Sequence, residues 1–295
     1  MSQNREENAE DFQKACTEAG VKQKITCIGA GNMAQALVKG FLNAGLLPAT
    51  DISVSDPHEP SVQKLQALNV NGSTDNLAIL RQNHGGIVML CVKPQYLISV
   101  TSSCGRELLN AGMIVSILAG TTLATLESQL NLALSTTELP IVRVMPNTPA
   151  LVGHGASVFA GNKHCTNQHA NLVRMLMSTV GTCHDAPETL IDAVTGLSGS
   201  GPAYVYTVID ALADGGVKMG LPRELAVHLA AQTLMGASKM VLDTGRSPAD
   251  LKADVCSPAG TTIAGVHVLE NSGVRGAFIS AVEAAVLRAR ELGKQ

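Results

Sequence analysis

A chain of 295 residues, 45% hydrophobic and 15% charged, is long enough for two domains and a sizeable core. A net charge of −3, an aromatic content of 2% and the lack of tryptophan leave neither the basic surface nor the stacking platforms that nucleic-acid binding requires. The seven cysteines are scattered without a C-x-x-C pair, and His164, Cys165, His169, Cys183 and His184 lack a recognised ligand spacing, so neither a disulfide framework nor a metal site is expected, and a reducing, cytoplasmic setting fits best.

Residues 1–23 are polar and acidic, unlike a transit peptide or a secretory signal, and read as a loose or partly helical tail. From Lys24 the order is strand (Ile25 to Ile28), glycine loop, helix to Gly45, then a second strand from Ile52 to Ser55. The loop Gly29-Ala30-Gly31-Asn32-Met33-Ala34 is G-x-G-x-x-A. Its first glycine permits the tight turn, its second lets a pyrophosphate approach the backbone, and Ala34 lets the helix lie close on the sheet. This context predicts a Rossmann-type dinucleotide-binding domain. At the end of the second strand, Asp56 suits a ribose 2′-hydroxyl and so leans towards NADH, whereas the Ser55 hydroxyl suits a 2′-phosphate; the cofactor is left as NADPH or NADH.

Alternation continues with a short strand from Val70, a helix opened by Asn76, and an apolar strand from Gly86 to Cys91, as expected of a parallel strand buried on both faces. It ends in Val92-Lys93-Pro94, a loop at the carboxyl edge where ligands gather and where Lys93 either approaches the cofactor or stays solvated. Met113 to Leu118 forms the next strand, followed by Ala119-Gly120. The apolar stretch from Leu108 to Leu126 carries too many polar and glycine residues for a membrane span. Ile141 to Met145 leads into Pro146-Asn147-Thr148-Pro149, and a strand around 156–160, a helix from Thr166 to Thr179 and a strand from Gly181 to His184 complete a domain over 24–187.

Beyond Pro187 only helices are expected: 203–218, 222–243, 248–254, 262–271 and 274–292. This second domain, 188–295, is so rich in Ala, Val and Leu that it needs cover from a second copy, which makes a homo-oligomer the expected state. Within it, Ser257, Gly260, Thr261 and Thr262 precede or open a helix, where unsatisfied N–H groups suit an anion such as a carboxylate.

Four runs resemble one family: IGAGNMA at 28–34, VKP at 92–94 with MPNTP at 145–149, AVTGLSGSGPAY at 193–204, and LKADVCSPAGTTIAGVHVLE at 251–270. They are similar to Δ1-pyrroline-5-carboxylate reductases and cover nearly the whole chain from Lys24. The resemblance implies NAD(P)H-dependent reduction of L-1-pyrroline-5-carboxylate to L-proline. Ser257 and the N–H groups of Gly260 and Thr261 would hold the carboxylate, and Thr262 would bond the ring nitrogen. Gly29, Gly31, Asn32, Met33, Asn76, Val92, Lys93, Pro94 and Ala119 would line the cofactor. It further implies a dimer interlaced through the helical domain and often assembled into a decamer; that the protein is soluble, with no membrane or nucleic-acid partner, is expected from the composition and the lack of a membrane-span pattern. Ala259 departs from the family's glycine and Asp254 from its frequent asparagine. A β-hydroxyacid-type dehydrogenase would need a lysine acid on the first long helix, and Gly201 to Leu212 contains none; a non-catalytic dinucleotide sensor is the other alternative.

Overall fold

The computed structural model describes residues 2–131 and 138–293. The chain divides into two compact units, Met1–Gly199 with Ala285–Gln295, and Ser200–Ala284.

The first unit is built on eight strands: β1 (Ile25–Ile28), β2 (Ile52–Ser55), β3 (Asn71–Ser73), β4 (Ile87–Leu90), β5 (Met113–Ser116), β6 (Ile141–Met145), β7 (Gly155–Gly161) and β8 (Gly181–Asp185). They lie in the order β3-β2-β1-β4-β5-β6-β7-β8. The first six run parallel in the dinucleotide-binding order, β7 turns antiparallel to β6, and β8 follows β7 in parallel. Every residue of β1, β2, β4 and β5 is buried, the consequence of covering a parallel sheet on both faces.

One face is covered by α1 (Ser2–Glu18), α2 (Asn32–Ala44), α3 (Glu59–Gln66) and α7 (Asn167–Ser178), the other by α4 (Asn76–Arg81), α5 (Leu97–Leu108) and α6 (Leu123–Asn131). The stretch expected as a tail is therefore a docked helix. Phe12 and Cys16, one turn apart, are fully buried in the core, and Asn8 donates to the Ala44 carbonyl at 2.8 Å, capping the carboxyl end of α2. Its polar composition masked these two anchors. Burial pushes the Cys16 thiol up to about 12. The Cys165 and His169 side chains, which raised the question of a metal, serve the backbone instead: Cys165 donates to the Ile141 carbonyl, and His169 closes a capping box with Thr166.

After β8 the helical character begins with α8 (Ile191–Val194), a π-helical turn over Thr195–Gly199, and α9 (Gly201–Lys218), which carries Pro202 in its first turn. Two contacts secure this connection. Arg143 on β6, 2% exposed, pairs with Glu188 at 3.2 Å and Asp192 at 3.0 Å. The Asn147 amide donates to the Ser198 carbonyl at 3.1 Å and accepts the Ala156 N–H at 2.8 Å.

The second unit contains α9, α10 (Arg223–Thr244), α11 (Pro248–Val255), α12 (Thr261–Asn271) and the start of α13 (Val274–Leu292). Small residues let α9 and α10 approach closely: a Cβ on Gly216 would stand 3.2 Å from that of Ala226. Among the described residues of this unit, only Ala213, Ala226 and Ala230 are buried.

Candidate active site

The glycine loop lies at the carboxyl edge of the sheet, where β1 and β4 separate the two directions of strand order. Gly29 has φ +103°, and a Cβ there would stand 2.7 Å from the Cys91 carbonyl carbon and oxygen, so only glycine fits against β4. Gly31 is the opposite case. A Cβ there would meet nothing within 4 Å, so the space over it is open, as close approach of a pyrophosphate requires. Asn32 and Met33 open α2, which has no side-chain cap, leaving first-turn N–H groups for an anion. The cradle therefore fits a dinucleotide. Beneath it, a hydrogen bond with Cys27, then burial, hold the Cys91 thiol well above the ordinary range.

The end of β2 differs from the sequence expectation. Ser55 is fully buried and its hydroxyl donates to Asn76 Oδ1 at 2.6 Å, so it is not presented to a 2′-phosphate. Asp56 accepts the Ala30 N–H on Oδ2 at 2.8 Å and the His58 N–H on Oδ1 at 2.9 Å, which makes it a brace of the glycine loop whatever it does for a ribose. Gln35, which the sequence reading overlooked, adds a second brace by donating to the Ala30 carbonyl at 3.0 Å. Its only signal was a polar residue on a helix turned towards the loop.

Val92 is half-buried, while Lys93, Pro94 and Ala119 are exposed beyond the ends of β4 and β5. The Ala119-Gly120 turn is backed by the last turn of α13: a Cβ on Gly120 would lie 3.3 Å from that of Leu292. The Lys93 carbonyl accepts the Tyr96 N–H at 2.9 Å, while its ammonium makes no hydrogen bond or ion pair among the described residues.

In the second unit, Ser257 to Gly260 forms a turn closed by the Gly260 N–H on the Ser257 carbonyl at 3.0 Å. Gly260 is therefore not the free donor expected for a carboxylate. Its contribution is steric, because a Cβ there would collide with Ser257 Oγ; the glycine lets that hydroxyl lie against the start of α12. α12 has no side-chain cap, so the first-turn N–H groups from Thr261 onward lack intrahelical partners. Thr262 is half-buried and its hydroxyl, like that of Ser257, has no partner among the described residues. Ala259 has φ +55°, a left-handed conformation ordinarily reserved for glycine. Asp254 pairs with Arg246 at 2.7 Å, and that guanidinium holds its carboxyl below the ordinary value; the departure noted in sequence thus ties α11 to the loop that precedes it.

Known proteins resemble two separate stretches of the chain. Residues 188–292 match the family model for pyrroline-5-carboxylate reductase dimerisation, and residues 24–120 that for coenzyme F420-dependent NADP oxidoreductases. The chain is 47% identical over 274 residues to a pyrroline-5-carboxylate reductase of Methanosarcina acetivorans, covering 92% of this chain and 99% of that one. It superposes on a Plasmodium falciparum pyrroline carboxylate reductase with NADP bound (TM-score 0.81, 32% identity, 92% of this chain and 98% of that one). A Coxiella burnetii pyrroline-5-carboxylate reductase gives a TM-score of 0.82 at 33% identity, with 92% and 99% coverage. With an open glycine cradle at the switch point, an uncapped helix start bearing free hydroxyls, and relatives of this identity over almost its whole length, the chain belongs to the pyrroline-5-carboxylate reductase family.

Proposed function

We infer that the chain catalyses the NAD(P)H-dependent reduction of L-1-pyrroline-5-carboxylate to L-proline, the last step of proline biosynthesis. The observation that carries the assignment of roles is the start of α12, where unused N–H groups and the Ser257 and Thr262 hydroxyls converge on one helix terminus.

Reducing a C=N bond requires a hydride on carbon and a proton on nitrogen. NAD(P)H supplies the hydride, held by Gly29, Gly31, Asn32 and Met33 of the loop, by Asn76, and by the edge formed by Val92, Lys93, Pro94 and Ala119. Ser257 and the first-turn N–H of Thr261 bind the substrate carboxylate, with the helix terminus favouring its negative charge. Thr262 lies one residue further along and donates to, or orients, the ring nitrogen. A cyclic imine is readily protonated, so positioning rather than a strong acid is the main requirement.

The exposed apolar helices are covered by a second copy of the chain. α10 is long and apolar enough, by length and composition, to cross a membrane, with 11% of its apolar window buried; a homodimer contact accounts for that surface. Assembly of such dimers into a decamer follows the family resemblance.

The test is Thr262→Ala. Its catalytic efficiency with pyrroline-5-carboxylate falls about ten- to a hundredfold, the worth of one hydrogen bond to a charged partner, while the Kd of NAD(P)H stays unchanged. Equal loss of both, or of neither, contradicts the assigned role.

A further inference from the structure

The buried serine at the end of β2 has an acceptor 21 residues away in sequence. Ser55 uses both of its polar oxygens inside the protein: its carbonyl receives the Gly29 N–H at 2.7 Å, and its hydroxyl donates to Asn76 Oδ1 at 2.6 Å. A hydroxyl at zero exposure needs an acceptor for its proton, and among the described residues Asn76 is its sole side-chain partner. That requirement orients the Asn76 amide, with Oδ1 towards Ser55 and the two Nδ2 hydrogens away from it. Those two donors meet no acceptor among the described residues, on a side chain that is only partly buried. The neighbouring backbone is fixed independently, because Asp75 caps α4 by accepting the Leu77 N–H at 2.8 Å. What remains soft is the terminal torsion of the amide itself, and Ser55 sets it.

We propose that Ser55 is a positioning residue for the cofactor: it makes no contact with NAD(P)H but holds the Asn76 amide so that its paired N–H donors face the acceptor oxygens of the dinucleotide. The proposal rests on the reading that Asn76 lines the cofactor. It replaces a direct role for Ser55 at the ribose 2′ position, and it predicts that Ser55 serves NADH and NADPH alike.

The experiment is a double-mutant cycle in the full-length protein, with Ser55→Ala, Asn76→Ala and the double variant. The Kd values of NADH and NADPH are measured by fluorescence titration, beside kcat and KM. Ser55→Ala weakens both cofactors by about three- to tenfold, the range of one neutral hydrogen bond, with kcat at saturating cofactor unchanged. Asn76→Ala weakens them at least as much, and the double variant binds no worse than Asn76→Ala alone, because Ser55 acts only through that amide. Losses that add in the double variant overturn the proposal, as does an effect of Ser55→Ala confined to NADPH, which would mark direct contact with the 2′-phosphate. No effect of Ser55→Ala beside a loss in Asn76→Ala also overturns it. If Asn76→Ala itself binds both cofactors normally, the underlying placement of Asn76 fails instead. Ser55→Cys, near-isosteric with a weak donor, repeats the cycle with the space filled; a loss smaller than that of Ser55→Ala supports the proposal, and a loss as large or larger contradicts it.

Discussion

The two units of this chain draw on the same aliphatic residues and bury them differently. In the first, β1, β2, β4 and β5 are buried at every position and helices close both faces of the sheet. In the second, five helices bury three alanines, while Tyr206, Met219, Leu242, Val268 and Ile279 are each 60% or more exposed. Apolar burial is the main favourable contribution to folding, so a unit that leaves this much of it in water is incomplete as a single copy. The sheet completes its core within the chain, whereas the helices complete theirs in a homo-oligomer.

The strongest way to break this contrast is to place charge on the helical face. Val268→Asp with Ile279→Asp puts two carboxylates where a second copy packs, at a cost of several kcal/mol for each one buried. Association weakens by about a thousandfold or more, seen as a shift to monomer in sedimentation velocity with loss of activity. Ile98→Asp, at a position 63% exposed in the first unit, leaves the assembly unchanged. An unaltered sedimentation profile for the double variant would show that these side chains are not the covered surface.

Within the first unit the corresponding change is Arg143→Leu. It leaves Glu188 and Asp192 without their cation, and because those carboxylates are 30% and 27% exposed, the expected loss is about 2–3 kcal/mol rather than that of a fully enclosed pair. Chemical denaturation measures it, and adding Glu188→Gln with Asp192→Asn recovers most of the loss. The smallest effect belongs to Ala259→Gly. Relief of the left-handed conformation outweighs the added freedom of the unfolded chain by about 0.5–1 kcal/mol, read as a small rise in Tm. A fall in Tm would mean that the Ala259 methyl contributes a contact that offsets its strain.

Much of this architecture was legible because parallel strands buried on both faces are written as unbroken apolar runs, such as Ile87-Val88-Met89-Leu90, and because glycine and proline punctuate the turns between them. Strand direction was not: nothing in the composition of Gly155–Gly161 distinguishes an antiparallel partner of β6 from another parallel strand. The docking of α1 rests chiefly on Phe12 and Cys16, helped by the smaller Ala15 and the Asn8 bond to Ala44, too few large apolar positions to form a stripe. At the site, the glycine loop and the α12 start were readable as types of residue in order. Their hydrogen bonds were not. Ser55 looked like a phosphate ligand until its burial beside Asn76 appeared, and Gly260 looked like a donor until its N–H closed a turn. Asp56 and Gln35 brace Ala30 from two different elements, a convergence that only the folded chain creates.

The most direct test of the account is oxidation of NADH and of NADPH by the purified protein in the presence of L-1-pyrroline-5-carboxylate. The account predicts rapid, saturable oxidation with stoichiometric formation of L-proline, and the ratio of the two rates reports how far Asp56 governs cofactor choice. Normal cofactor binding without turnover of the imine by either cofactor would contradict it.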